Sequence, residues 1–176
     1  MTPHLADTPV LETGRLRLRA PGRQDWPLWR DFAGTERAMF IGGPFDLRSA
    51  WRAFGHVIGM WVLRGYGSFV FTAKDDDTAL GMTGPWHPAD WPEKELGWTV
   101  WSADQEGTGL AFEAARAARD FAFGPLGWDT AVSYIHKDNA RSITLAERLG
   151  AVRDETATAP HPEDLVFRHT APETPS

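Results

Sequence analysis

The sequence predicts an α/β fold, a single mixed sheet flanked by helices. Three observations carry this reading. Apolar residues recur at every second position in several short runs and at every third or fourth in four longer ones. The two kinds of run are interleaved along the chain rather than segregated into halves. A length of 176 residues fits one domain and suffices to bury a core without disulfide or metal staples.

Leu11–Ala20 reads LETGRLRLRA, with Leu16 and Leu18 alternating with Arg15, Arg17 and Arg19, and predicts a half-buried strand. Trp26, Trp29 and Phe32, three apart, predict a first helix over Arg23–Phe32. Asp46 caps a second that runs through Trp51, Phe54, Ile58 and Trp61 to about Arg64, where Gly65 and Gly67 end it. The tryptophans at this helical spacing, Trp26, Trp29, Trp51 and Trp61, are expected in the core.

Strands are expected at Ser68–Thr72, Ala79–Thr83 and Glu95–Trp101, with Pro85, Trp86, His87, Pro88, Trp91 and Pro92 in a loop before the last. The clearest helix is Gly107–Phe123. Leu110, Ala114, Ala117, Ala118 and Phe121 form its apolar stripe, and Gly124-Pro125 stops it. Trp128–His136 is a further strand. Asp138 or Asn139 caps a last helix closing at Gly150, and strands around Val152 and Leu165–His169 finish the order β-α-α-β-β-β-α-β-α-β-β. We expect one domain over residues 1–170 and a disordered tail over 171–176.

Composition narrows the function. The absence of cysteine excludes disulfides, thiolate metal sites and thiol nucleophiles. The first nine residues lack a signal-peptide pattern, and the most apolar window, Phe54–Leu63, is too short to span a bilayer, so a soluble cytoplasmic protein with no membrane partner is expected. A net charge of −6 without basic runs speaks against nucleic acid as a partner. A mildly acidic surface suits a cationic partner such as an amine, although many soluble proteins share it.

The informative stretch runs from Glu95-Leu-Gly-Trp-Thr-Val-Trp to Glu106-Gly-Thr-Gly-Leu-Ala, a strand followed by a helix with a glycine-rich first turn. Free N–H groups and the positive end of the helix dipole make such a turn a site for phosphate; the plainer reading is a tight turn. Two rival phosphate motifs fail. No Gly-Lys-Ser/Thr triplet exists for a P-loop, and Phe112 stands where a dinucleotide fingerprint needs a small residue.

The residues here resemble the GNAT acetyltransferase superfamily, and most its RimJ/RimL branch, which acetylates protein N-termini and other amines. That family's Gln/Arg-x-x-Gly-x-Gly/Ala motif is matched by Glu106, Gly109 and Ala111 with its first residue changed, and Phe112-Glu113-Ala114 resembles the Thr-Glu-Ala that follows. Asn139, Ser142 and Glu147-Arg148-Leu149-Gly150 resemble its Asn-x-x-Ser helix. Glu95–Trp98 resembles its Glu-Leu/Ile-Gly-aromatic strand, and Leu11–Leu16 its opening strand. The likeness spans roughly residues 10–170.

The resemblance implies a mostly antiparallel mixed sheet with helices on both faces, split near Val100 and Tyr134 to hold CoA. Acetyl-CoA is the implied co-substrate, with no metal, and an amine the acceptor; a homodimer is common in the family. Trp98, Thr99, Val100, Glu106, Gly107, Thr108, Gly109, Leu110, Ala111, Asn139 and Ser142 are the implied CoA contacts. Because Glu106 replaces Gln/Arg and Thr108 a frequent Arg/Lys, pyrophosphate would rely on backbone N–H groups, with charge from Arg141 or Lys137. The tyrosine acid usual elsewhere in the superfamily is replaced by Ala146.

An amine attacks a thioester only when neutral, so a base is needed. Glu95 is the favoured one, the plainer reading being a strand-edge carboxylate in a salt bridge; His87, Asp90 and Glu93 are alternatives. Ser142 is the candidate to hydrogen-bond the sulfur. Trp86, His87 and Trp91 are candidates to line the acceptor pocket, or simply to cover the sheet, and Tyr134 reads as an ordinary half-buried tyrosine. A non-catalytic acyl-CoA sensor is the rival function.

Overall fold

The computed structural model describes residues 4–171; all but the first residue of the expected tail lies outside them. Eight strands form one sheet in the order β1-β2-β3-β4-β5-β6-β8-β7: β1 Leu11–Glu12, β2 Leu16–Arg19, β3 Phe69–Ala73, β4 Asp76–Trp86, β5 Glu95–Val100, β6 Thr130–His136, β7 Val152–Arg153 and β8 Asp164–Thr170. Every neighbouring pair is antiparallel except β5 with β6. The helices are α1 Trp26–Ala33, α2 Leu47–Arg64, α3 Leu110–Phe123 and α4 Ala140–Arg148.

The pleat sorts side chains to two faces. On one, Trp29 and Phe32 of α1 and Phe54 and Val57 of α2 pack on Val70 and Met82. On the other, Leu16, Leu18, Phe69 and Phe71 pack on Ala114 and Phe121 of α3. Asp46 caps α2 by accepting from the Ser49 N–H at 2.7 Å, and Gly65 ends it in the left-handed region.

Four expectations are corrected. The opening strand is broken at Thr13-Gly14, so that Leu11 pairs with Leu18 in a small hairpin. The first helix begins at Trp26, not Arg23; Arg23–Asp25 is a separate 3-10 turn in which Asp25 accepts from the Gly22 N–H and binds Arg19. Trp51 is 61% exposed, leaning edge-on against Trp26 at the rim of α2. Strand β4 is longer than expected, and Pro85 and Trp86 belong to it, opposite Leu96 and Glu95. Glycines and a proline hide this strand's periodicity, and at Gly81 they must: an added Cβ would lie 2.2 Å from the Thr99 carbonyl and 2.5 Å from the Phe71 ring.

Strands β5 and β6 share one registered pair, Glu95 with Val132, alongside a bond from the Val132 N–H to the Lys94 carbonyl at 2.9 Å. Beyond that pair they part. This is the expected split, and its apex is Glu95. Among the described residues no helix is long and apolar enough to cross a membrane.

Candidate active site

A groove of about 1100 Å³ opens where β5 and β6 diverge. Trp98, Thr99 and Val100 of β5 line one side, and Asn139 and Ser142 at the start of α4 the other. The turn Glu106–Gly109, with Ala111 and Phe112, closes one end, and the 3-10 turn Glu36–Ile41 forms a further wall. Of the expected CoA contacts only Leu110 is not a wall residue. Its side chain packs in the core with Leu16 and Ala114, because α3 starts at Leu110 rather than Gly107 and turns that residue inward.

The geometry of the turn explains its glycines. Gly107 and Gly109 have φ of 72° and 81°, in the left-handed region that side chains disfavour. A Cβ at Gly107 would meet nothing within 4 Å, so conformation and not crowding selects glycine there, and the space above is open. Gly109 is the N-cap of α3 and brings no side-chain acceptor, leaving the first-turn N–H groups for a ligand. Between the glycines, Thr108 donates to the Gln105 carbonyl at 2.6 Å and its own carbonyl accepts from Arg15 at 3.1 Å. Arg15 is itself bridged to Glu113 at 2.6 Å, which pins the turn to α3.

Glu106 is doubly paired, with Arg37 at 2.6 Å and with Arg141. Arg37 also donates to the Val100 carbonyl at 3.0 Å, while its Nε is buried with no partner among the described residues. Lys137, a suggested source of positive charge, pairs with Glu163 and is not a wall residue. Arg141 is one.

Asn139 accepts from the Ser142 N–H at 3.3 Å and so caps α4. Ser142 Oγ accepts from the Trp98 indole N–H at 3.2 Å, which leaves the hydroxyl proton free to point into the groove.

Glu95 stands at the apex rather than in the wall, three residues or about 10 Å along β5 from Trp98. Burial pushes its carboxyl up to about 7, against the lowering effect of a hydrogen bond from the Trp91 indole at 2.5 Å. Trp91 is edge-on to Tyr134, with centroids 6.2 Å apart. The Tyr134 hydroxyl is buried without a partner among the described residues, and burial raises it to about 12, so this tyrosine is less ordinary than its sequence suggests.

The alternative bases fare differently. Glu93 is bridged to Arg168 at 2.8 Å, a hydrogen bond that holds it below the usual carboxylate range and leaves it committed. His87 is lowered by burial, Asp90 is exposed on the loop, and neither is a wall of the groove. Trp86 packs beside the α1–α2 core against His56, away from the groove.

The sequence model of the acetyltransferase (GNAT) domain matches residues 15–152. The chain belongs to the GNAT acetyltransferase family. A crystal structure of the acetyltransferase from Agrobacterium tumefaciens str. C58 is similar at 39% identity over 96% of this chain and 98% of that one, with a TM-score of 0.88. Two more distant structures share the fold. One is a GNAT-family acetyltransferase from Bacillus anthracis, 16% identical over 92% of this chain and 98% of that one, TM-score 0.74. The other is RimL, a ribosomal L7/L12 α-N-protein acetyltransferase in complex with coenzyme A, 13% identical over 93% and 98%, TM-score 0.72. The present protein is thus an acetyl-CoA-dependent acetyltransferase.

Two features of the groove suit such a co-substrate: the backbone at Gly107 is open, and the cleft runs between β5 and β6. Its Arg37–Ile41 wall carries no motif, and Arg37 meets Glu106 only in three dimensions, 69 residues apart. Among the described residues no cluster of His, Cys, Asp and Glu is arranged to hold a metal.

Proposed function

We propose that this GNAT enzyme transfers the acetyl group of acetyl-CoA directly to a primary amine, either a protein N-terminus or a small amine, in the manner of the RimJ/RimL branch. The observation that supports the reading is the groove that opens where β5 and β6 part. Glu95, a carboxyl whose proton is exchangeable near neutrality, sits at the apex of that split, and Ser142, bonded to the Trp98 indole, lines the groove from α4.

Acetyl-CoA supplies the thioester. The N–H groups at the start of α3 and the turn Glu106–Gly109 bind its pyrophosphate. By strand alternation the backbone of Trp98 faces the split with that of Leu96 and Val100, whose carbonyls accept from Ser133 and Arg37. Trp98 then holds the pantetheine amides, with Thr99 and Asn139 alongside. Glu95 takes a proton from the acceptor ammonium, directly or through one water, so that the neutral amine attacks. Ser142 donates a hydrogen bond where the thiolate sulfur departs. A thiol-bound acyl-enzyme is chemically closed to a chain without cysteine. Trp91 borders the acceptor side through its contact with Glu95.

The test is thiol release from acetyl-CoA across a panel of peptides with Ser, Ala or Thr N-termini, polyamines, aminoglycosides and amino acids. At least one amine should raise release well above hydrolysis, and Glu95→Gln should abolish the increase. Tight acetyl-CoA binding with no responsive amine would favour a sensor instead.

A further inference from the structure

We propose that Arg37 is a phosphate-binding residue of this groove and that Glu106 is its resting partner, a carboxylate displaced from the guanidinium by the pyrophosphate of CoA. The inference rests on the groove being the CoA site.

The glycine turn carries no cation: its residues are Glu106, Gly107, Thr108 and Gly109. A carboxylate directed into a phosphate site is unfavourable unless neutralised, and two guanidinia converge on it from opposite walls. Arg141 comes from the first turn of α4 and Arg37 from the Glu36–Ile41 turn. The carboxylate and both arginines line the same groove. One negative and two positive charges leave the cluster with a surplus of one, in the place where a pyrophosphate would lie.

Arg37 is the better anchored of the pair. Its side chain is 29% exposed against 79% for Arg141, and its second terminal nitrogen is fixed on the Val100 carbonyl at the edge of the split. The resting arrangement is nonetheless incomplete. Nε is buried with no partner among the described residues, and a buried donor without an acceptor is disfavoured. A guanidinium presents a planar fork that matches phosphate oxygens in pairs. A small turn toward the groove exchanges one carboxylate for such a ligand and gives Nε an acceptor. The cation that the glycine turn lacks thus stands on another wall of the groove, where no glycine-motif search would find it.

The test compares CoA with acetyl-pantetheine, which keeps the thioester arm and lacks every phosphate. By calorimetry and competition, Arg37→Gln should weaken CoA by tenfold or more, leave acetyl-pantetheine within twofold, and flatten the salt dependence of CoA binding. Glu106→Gln removes the competing carboxylate and should tighten CoA. Equal weakening of both ligands by Arg37→Gln, no change in either, or a loss in Glu106→Gln matching that in Arg37→Gln would each make the pair a purely structural tie and overturn the proposal. If Arg37→Gln does not fold, Arg37→Lys keeps charge without the fork, and its smaller loss should again be confined to CoA. Gly109→Val separates the two levels of the argument. Should it leave CoA affinity unchanged in a folded protein, the groove is not the CoA site. Should it weaken CoA while Arg37→Gln does not, only the role of Arg37 fails.

Discussion

The indole N–H of Trp91 donates to the Glu95 carboxylate across 2.5 Å, joining a loop residue to the first residue of the split strand. The loop itself is moored elsewhere, because Glu93 and Asp154 both bind Arg168 of β8. Trp91 is wedged further by edge-on contacts to Tyr134 and His161. The proposed base is thus poised by opposing influences, burial and the nearby Asp164 favouring its neutral form, the Trp91 indole and the Tyr134 backbone favouring its charged one.

That balance predicts the pH dependence. Glu95 must be ionised to accept a proton, so kcat/KM should rise with pH through about 7. Trp91→Phe removes a donor that favours the carboxylate, so the rising limb should move to higher pH, by about one unit. Glu95→Gln should lower kcat by roughly 10²–10⁴ and lose that limb. The profiles of the three proteins, taken with one acceptor amine, decide the matter. A limb that stays in place in Trp91→Phe belongs to the amine and not to Glu95.

Ser142 should behave differently from Glu95. Removing its hydroxyl with Ser142→Ala takes away one hydrogen bond at the leaving sulfur and one acceptor for Trp98, but no base. A loss of about tenfold in kcat is expected, in keeping with a single hydrogen bond, with the pH limb unmoved. The caps of α4 should hold, since Asn139 accepts from the backbone of residue 142 and not from its side chain. Steady-state kinetics across pH checks this, and a shifted limb would make Ser142 part of the proton path.

Much of this was legible in the sequence where the signal is local. Alternation at Leu16 and Leu18, the cap Asp46 and the stop at Gly150 each act within a few residues, and each lies where the pattern put it, whereas the helix expected from Gly107 starts only at Leu110. What stayed hidden is non-local or masked. Gly81 and Gly84 dilute the apolar period of β4, so the strand was expected to end before Trp86. Trp51 has helical spacing with its neighbours, but an 18-residue helix at the rim of the sheet exposes part of its apolar stripe. Arg37, the most consequential omission, is one charged residue in a short turn without periodicity. Its meaning comes only from Glu106 and Val100, more than 60 positions away.

The final prediction concerns stability, and it follows from a buried histidine and a half-buried carboxyl whose pH effects oppose each other. His169 lies in the core beside Ser133, whose hydroxyl donates to the Leu96 carbonyl at 2.6 Å. The Nε2 of His169, 2.9 Å from that Oγ, therefore carries the ring proton and donates, while Nδ1 is buried with no partner among the described residues. Burial, aided by the nearby Arg119, lowers His169 to about 4 from an ordinary 6.5. Between these values the unfolded chain binds more protons, so stability rises with pH from about 4 to 6.5, by about 3 kcal/mol in all. Glu95 has the reverse sign. Its folded value near 7 exceeds the ordinary 4.5, so the folded state binds more protons in between and stability falls as pH rises through that window. From 4.5 to 6.5 the two slopes offset each other in the wild type. Glu95→Gln should therefore steepen the rise of unfolding free energy with pH, and His169→Gln should turn it into a fall relative to wild type. Urea melts at several pH values from 4.5 to 7.5 measure both, with the wild-type curve subtracting every group the variants share. If Glu95→Gln leaves the slope untouched, its carboxyl is not held neutral by burial, and the basis for assigning it the neutral-pH limb of the reaction goes with it.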